Sequence, residues 1–363
     1  MKMRKSDKLP LLIAYLSVFA ITARAQSFKC SGSTTKCQAL AGYISPNKTT
    51  LADIQTMFGV VRLQPLLGAN SLPLNTTSEY SVAAGETIKI PFPCTCDNGT
   101  GVSDRVPVYK IKKNDGLYHI AAEVFSGLVQ YPQIAAVNNI SNVDLIKEGD
   151  ELRIPLPCSC DNVDGLQVVH YAHVVANGSS VEQIAQKFGT SNTTLLSLNG
   201  ITNPKDLKAG QVLDVPLRAC ASKVRNDSLD YPLSVANGTY TLTANNCVQC
   251  KCDSSNNFTL QCEPSSSKEI KVYGWSQCPA MQCSGLNNLT LGNPTVNSSC
   301  GRTVCAYAGY TNATIFTVLD LENTCSSSSP SGNFASKISS EGSTWRLIFI
   351  SLHMSLLCFG LVW

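Results

Sequence analysis

The chain is short of charge, of histidine and of basic stretches, and each shortage removes a class of function. Asp, Glu, Lys and Arg make up 15% of its 363 residues and the formal net charge is +3, too little imbalance to hold a polyanion electrostatically. No Lys/Arg stripe interleaves with aromatic residues, so a footprint for nucleic acid or acidic lipid is missing. Histidine occurs four times. His119 falls in a helical pattern, His170 and His173 in a strand pattern and His353 near the end of the chain, while Asp and Glu are scattered. Neither a nucleophile–base arrangement nor a carboxylate pair is visible, so an enzyme is not expected.

What the chain has instead is repetition. Ile88-Lys89-Ile90-Pro91-Phe92-Pro93-Cys94 returns as Leu152-Arg153-Ile154-Pro155-Leu156-Pro157-Cys158 and as Leu213-Asp214-Val215-Pro216-Leu217-Arg218-Ala219-Cys220. One folding unit used three times is the simplest source of such a pattern. Six residues before each proline stands a glycine, Gly85, Gly149 or Gly210, which reads as a turn into a short strand. Farther upstream, Asn70, Asn138 and Asn199 close apolar segments that read as a second helix ending at a residue tolerant of the left-handed C-cap. Before them, Ile54/Phe58, Ile120/Phe125 and Ile184/Phe188 stand at or near the i, i+4 spacing of a first helix. Alternating strands at 106–112 and 168–175 open the second and third units. The first unit shows no obvious opening strand. The expectation is strand–helix–helix–strand, an α+β unit with both helices on one face of two antiparallel strands. A unit this small is marginal alone, and bridges through the Cys94/Cys96 and Cys158/Cys160 linkers, at about 2–4 kcal/mol each, would join the units into one block.

Both ends read as targeting segments. Residues 1–8 are basic, 9–22 apolar, and Ala23-Arg24-Ala25 suits signal peptidase, giving a mature start at Gln26. A Ser-rich spacer (326–346) leads to an apolar tail, 347–363, with no basic flank, which suits exchange for a glycosylphosphatidylinositol anchor better than a tail-anchored helix. Of the 17 cysteines, Cys358 falls in that tail and sixteen are left to pair. Cys247/Cys250 also has zinc-site spacing, although a matching second pair is missing. Twelve Asn-x-Ser/Thr triplets begin at Asn47, Asn75, Asn98, Asn139, Asn177, Asn192, Asn226, Asn237, Asn257, Asn288, Asn297 and Asn312, the density of a secreted glycoprotein.

The Gly-x-x-apolar-x-Ile/Val-Pro ending, the Asn closing helix two and Ile120-Ala121 and Ile184-Ala185 in helix one resemble the LysM module. Three such modules with Cys-x-Cys linkers, Asn246-Cys247-Val248-Gln249-Cys250-Lys251-Cys252, Cys300-Gly301-Arg302-Thr303-Val304-Cys305 and the anchor signal resemble the plant GPI-anchored LysM proteins of the chitin elicitor-binding type. The resemblance implies LysM modules at 26–97, 104–160 and 167–220, then a Cys-rich, mainly β domain at 221–325. It further implies bridges Cys30–Cys96, Cys37–Cys160 and Cys94–Cys158. The pairing of Cys220 to Cys325 stays open.

By the same resemblance, β-1,4-linked N-acetylglucosamine lies in a shallow groove between the loop after strand one and the loop before strand two. The second repeat fits best, through Asn114, Asp115, Gly116, Leu117, Val143, Asp144, Leu145 and Ile146. Repeats one and three, with sequons Asn75 and Asn177 at their loops, read as supporting modules. The implied protein is a chitin-oligosaccharide receptor on the outer face of the plasma membrane, without metal or cofactor. It would signal through a partner LysM receptor kinase in innate immunity and form ligand-bridged homodimers. Peptidoglycan recognition, or a structural role at the wall or plasmodesmata, are the alternatives.

Overall fold

The computed structural model describes residues 28–31, 36–266, 275–285, 289–298 and 301–323. The leader, the Ser-rich spacer, the apolar tail, Cys300, Cys325 and Asn288 lie outside the described residues. Among the described residues, no helix is long and apolar enough to cross a membrane.

Three strand–helix–helix–strand units follow one another. The first runs Lys36–Ile44, Leu51–Phe58, Leu63–Ala69 and Thr87–Asp97. The second runs Val108–Lys110, Leu117–His119 continued by a π-turn at Ile120–Val124, Tyr131–Val137 and Glu151–Arg153. The third runs Val168–Val174, Val181–Phe188, Asn192–Leu198 and Val212–Arg218. In the first and third units the leading helix starts in a capping box. Thr50 with Asp53 and Ser180 with Gln183 exchange side-chain and backbone hydrogen bonds, which satisfies amides that a helix start otherwise leaves orphaned. Gly59 (φ 66°) and Gly189 (φ 69°) close those helices in the left-handed conformation.

In the second unit the spacing from Ile120 to Phe125 is one residue longer than Ile54 to Phe58. A π-turn absorbs the extra residue: the Phe125 amide donates to the Ile120 carbonyl at 3.0 Å, so Phe125 still reaches the core, fully buried.

The asparagine that closes each second helix does more than cap it. Asn138 Nδ2 donates to the carbonyls of Ile134 and Arg153, both at 2.8 Å, and its Oδ1 accepts from the Arg153 amide at 2.9 Å. Asn70 makes the same three bonds to Leu66 and Lys89, and Asn199 makes them to Leu195 and Asp214. Each amide is a clamp between the helix end and the closing strand. The left-handed expectation is corrected accordingly: the asparagines sit at φ −103°, −102° and −94°, and the next residue, Ser71, Asn139 or Gly200, takes positive φ.

A six-stranded sheet runs through the first and third units. Its order is Phe28–Lys29, Thr100–Ser103, Thr87–Asp97, Lys36–Ile44, Val168–Val174, Val212–Arg218, all antiparallel except the pairing of Leu40 and Ala41 with Tyr171 and Ala172. A methyl group on Gly42 would strike the Tyr171 hydroxyl, so glycine lets the central strands close up. The second unit keeps its own ladder, Val108 to Arg153, Tyr109 to Leu152 and Lys110 to Glu151. It joins the first through a continuous core in which Tyr43, Phe58, Phe125 and Tyr109 form a chain of edge-to-face contacts at 5.1, 5.6 and 5.8 Å.

Disulfides Cys30–Cys96, Cys37–Cys160 and Cys94–Cys158 staple the first two units and their linkers, the same pairs that the resemblance implies. Beyond Cys220 lie two three-stranded antiparallel sheets, Thr239–Thr243 with Val248–Cys252 and Gln261–Pro264, and Pro294–Ser298 with Gly301–Tyr310 and Ile315–Asn323. Cys220–Cys252, Cys247–Cys278, Cys250–Cys262 and Cys283–Cys305 hold this part. Cys247 and Cys250 are therefore cystines, and the zinc alternative falls because a zinc ligand must be a free thiolate. The sulfurs of Cys37, Cys94 and Cys160 cluster within 4.8 Å but are likewise oxidised.

Candidate functional site

In each unit the two strand-flanking loops leave from one pair of hydrogen bonds. Ile111 donates to Asp150 and accepts from Gly149, both at 2.9 Å. Ser45 does the same with Glu86 and Gly85, and Val175 with Gln211 and Gly210. The loop after strand one and the loop before strand two are thereby brought side by side at the end of each ladder.

The three loop pairs are not equivalent. In the first unit the loops are zipped together: Thr49 pairs with Val82 and Thr50 with Ser81, and the Leu51 and Ala52 amides donate to Tyr80 and Ser78. The longer second loop of that unit occupies the space between them with its own backbone. No such ladder joins 112–116 to 140–150 among the described residues. The leading helix of the second unit also begins at Gly116 without a side-chain cap, where the other units have Thr50 and Ser180. Its first-turn amides thus lack the side-chain acceptor found in the other two units.

The first loop of the second unit is held from inside. Asp115 has a side chain 5% exposed, and its Oδ2 accepts from the Tyr109 hydroxyl and the Lys112 amide, each at 2.8 Å. Burial, and then the Asp115 carboxylate, push the Tyr109 phenol well above its usual range, so it stays a donor. Leu117 is 2% exposed and packs in the core. Asp115 and Leu117 therefore support the turn from beneath. Asn114 is exposed at φ 67°, and a Cβ on Gly116 would meet nothing within 4 Å, which leaves open space over the turn.

The second loop is shaped by Asn142, whose Oδ1 accepts from the Asp144 amide at 3.0 Å and whose carbonyl accepts from Leu145 at 3.2 Å. Val143 and Ile146 are half-buried against the core. Asp144 is exposed and Leu145 is 72% exposed. The third unit has the same Asn-turn, with Asn203 accepting from Lys205 and Asp206, and Leu207 packs where Ile146 does. It carries Asp206 at the position of Leu145, so only the second unit offers a free apolar shoulder there.

Asn142 and Tyr109 position these loops, and the sequence reading missed both. Asn142-Val143-Asp144 is an Asx-turn signature and Tyr109 alternates inward on its strand, so each carried a readable signal.

The three described histidines are structural in placement. His170 is buried, its Nδ1 2.8 Å from Asp214 and its Nε2 2.8 Å from the Asp161 carbonyl. Burial lowers its pKa, but the Asp214 carboxylate together with the carbonyl and charge of Asp161 more than offsets this and the net shift is upward. His173 packs against Phe188, and burial, then Lys187, lowers its pKa to about 4. His119 lies between Asp115 (3.6 Å) and Glu123 (3.2 Å) on its helix.

The sequences of two of these units match a known family. The family model for the LysM domain matches residues 109–155 and 173–216, the second and third units. The chain belongs to the LysM domain-containing GPI-anchored proteins. It is 48% identical to LysM domain-containing GPI-anchored protein 2 of Arabidopsis thaliana over 97% of both chains. It is 40% identical to the chitin elicitor-binding protein of Oryza sativa subsp. japonica over 93% of both. LysM domain receptor-like kinase 3 of Arabidopsis thaliana is 25% identical over 58% of this chain and 29% of the kinase.

Proposed function

We propose that the protein binds N-acetylglucosamine oligomers of the chitin type at the cell surface, in the groove of its second unit. The observation that carries this reading is the open loop pair at 112–116 and 140–150, unbridged where the first unit is zipped, with Leu145 exposed on one loop and the helix start after the other uncapped. A neutral sugar needs this combination: backbone groups and small polar side chains for the acetamide and hydroxyls, an apolar shoulder for the acetyl methyl or ring face. The relative named as a chitin elicitor-binding protein supports the ligand class.

In this reading the first unit is also a LysM module, by its matching strand order, Ser45 pairing and Asn70 clamp, and it serves as scaffold. The C-terminal cystine-rich sheets form a further domain. Catalysis is not part of the role. Anchoring through a glycolipid follows the relatives' names, and a partner of the LysM receptor kinase kind would carry the signal inward. A long oligomer could also bridge two copies, a gain in avidity.

Calorimetric titration of the full chain with a chitin octamer and, in parallel, with soluble peptidoglycan fragments tests the ligand, and Leu145→Asp tests the groove. Heat with chitin and an affinity that Leu145→Asp weakens at least tenfold is the expected result. Heat with peptidoglycan alone, or chitin binding indifferent to Leu145, overturns the reading.

A further inference from the structure

A second concave feature lies away from the groove. A cleft of ≈ 1930 Å³ lies between the first unit and the C-terminal sheets, beyond the roughly 300–1,000 Å³ of an ordinary ligand pocket. One wall is the helix Leu63–Ala69 with the loop that follows it. The other is the strand Thr239–Thr243 and its turn. The walls touch beside the cleft, where Gly68 backs onto the Tyr240 carbonyl so closely that a Cβ would collide. There the Tyr240 hydroxyl donates to the Leu72 carbonyl at 2.5 Å and the Ser71 hydroxyl donates to the Gly238 carbonyl.

The lining is neutral and amphiphilic. Arg62 and Asp230 are the charged lining residues, and Asp230 already accepts from Thr243 at 2.5 Å and Tyr307 at 2.7 Å. The rest mixes hydroxyl and amide groups such as Thr241 and Asn245 with apolar faces such as Leu74 and Leu242. Hydroxyls and amides beside apolar patches, with little net charge, suit a neutral acetamido sugar. Such a sugar has a covalent point of entry here. Asn75 is exposed, and both Asn75 and its sequon partner Thr77 line the cleft. No other described sequon asparagine does so.

We propose that Asn75 carries an N-glycan whose N-acetylglucosamine core seats in this cleft and wedges the first unit against the C-terminal sheets. Tethering supplies the sugar at high effective concentration, so modest contacts suffice to hold it. The glycan is then a structural part of the molecule, independent of the groove and of the ligand assigned to it.

The test uses the full chain made in a mammalian secretory host. Glycopeptide mass spectrometry reads occupancy. Peptide-N-glycosidase release is timed on native and denatured protein, and hydrogen exchange of residues 239–246 is compared with that of Thr77→Ala, which removes the sequon but keeps Asn75. The expected result is an occupied Asn75 released about tenfold more slowly from native than from denatured protein, as for a site reached only by local opening, with faster exchange of 239–246 in Thr77→Ala. An unoccupied Asn75, native release as fast as at the other occupied sequons, or unchanged exchange in Thr77→Ala would overturn the proposal.

Discussion

Asn138 and Asn199 make the same three hydrogen bonds in two different units, which turns them into a matched pair of perturbations. Asn138→Ala strands the Ile134 and Arg153 carbonyls and the Arg153 amide, bonded at 2.8, 2.8 and 2.9 Å. Asn199→Ala does the same to Leu195 and Asp214, at 2.8, 2.9 and 2.7 Å. At a net value near 1 kcal/mol per bond, and more for groups left without water, each variant loses about 2–4 kcal/mol of local stability. The stability losses should therefore be alike, while the consequences for ligand should not. Asn138 immediately precedes the loop that carries Val143 to Ile146, and its strand partner Arg153 belongs to a ladder of three residue pairs outside the large sheet. Asn138→Ala should loosen that loop and weaken chitin-octamer binding at least tenfold. Asn199→Ala should leave the affinity within about twofold, since distant sites act independently. Hydrogen exchange over 134–153 and 195–214 measures the first effect and calorimetry the second. Equal loss of affinity in the two variants would refute assignment of the groove to the second unit. A change below about 0.5 kcal/mol in both would refute the clamp.

Leu145→Asp should cost about 1.5–3 kcal/mol of binding, the value of burying one leucine side chain, without shifting the melting temperature, because the side chain is 72% exposed; a lowered melting temperature would point to a core role instead. Stability should rise with pH between about 4 and 6.5, because His173, with its pKa lowered to about 4, takes up a proton more readily when unfolded. Melting scans of His173→Asn should lose that acid limb, and a retained limb would exclude His173 as its source. His170 acts in the other window: its raised pKa gives stability that is complete below about pH 6.5 and lost as pH rises through the folded-state value, so His170→Asn should flatten the alkaline side. Replacing Cys94 and Cys158 by serine opens a bridge whose ends the Cys30–Cys96 and Cys37–Cys160 bridges already hold near one another, so the loop it closes is about a dozen residues and its loss should cost about 3 kcal/mol by loop entropy, read as a lower denaturation midpoint; an unchanged midpoint would show that the core alone orders the linkers.

What the sequence disclosed follows from what periodicity can report. The closing strands were legible because Ile90-Pro91, Ile154-Pro155 and Val215-Pro216 recur, each behind a turn glycine, Gly85, Gly149 or Gly210. The opening strand of the first unit, Lys36–Ile44, was not, and its burial pattern gives the reason: five consecutive residues, Ala39 to Tyr43, are buried. A strand in the middle of a sheet covered on both faces loses the alternation that marks a half-exposed one. The groove was legible as two loops but not as a surface. Asn114 and Leu145 stand outward, whereas Asp115 and Leu117 turn inward, and Asn-Asp-Gly-Leu contains nothing to separate them. The π-turn could be read only as a spacing one residue too long. The C-terminal cystines could not be read at all, since spacing carries no information about which of many pairings a small sheet will enforce.

The three units share a fold but use their loops for different ends. The first gives its central strands to the large sheet, packs its second helix against the C-terminal sheets, and lengthens its second loop until that loop pairs with the first across the would-be groove. A unit so engaged is rigid and has no cleft of its own to offer. The third unit shares the large sheet and keeps the capped helix start, with Asp206 where an apolar shoulder would stand. The second unit contributes no strand to that sheet, and the aromatic chain from Tyr43 to Tyr109 and the cystine linkers hold it to the first. Because neighbours and cystines supply its stability, its loops are free to lack the helix cap of the other two units and the ladder that closes the first. The features that make the second unit the weakest on its own are the ones that leave its backbone open to a ligand.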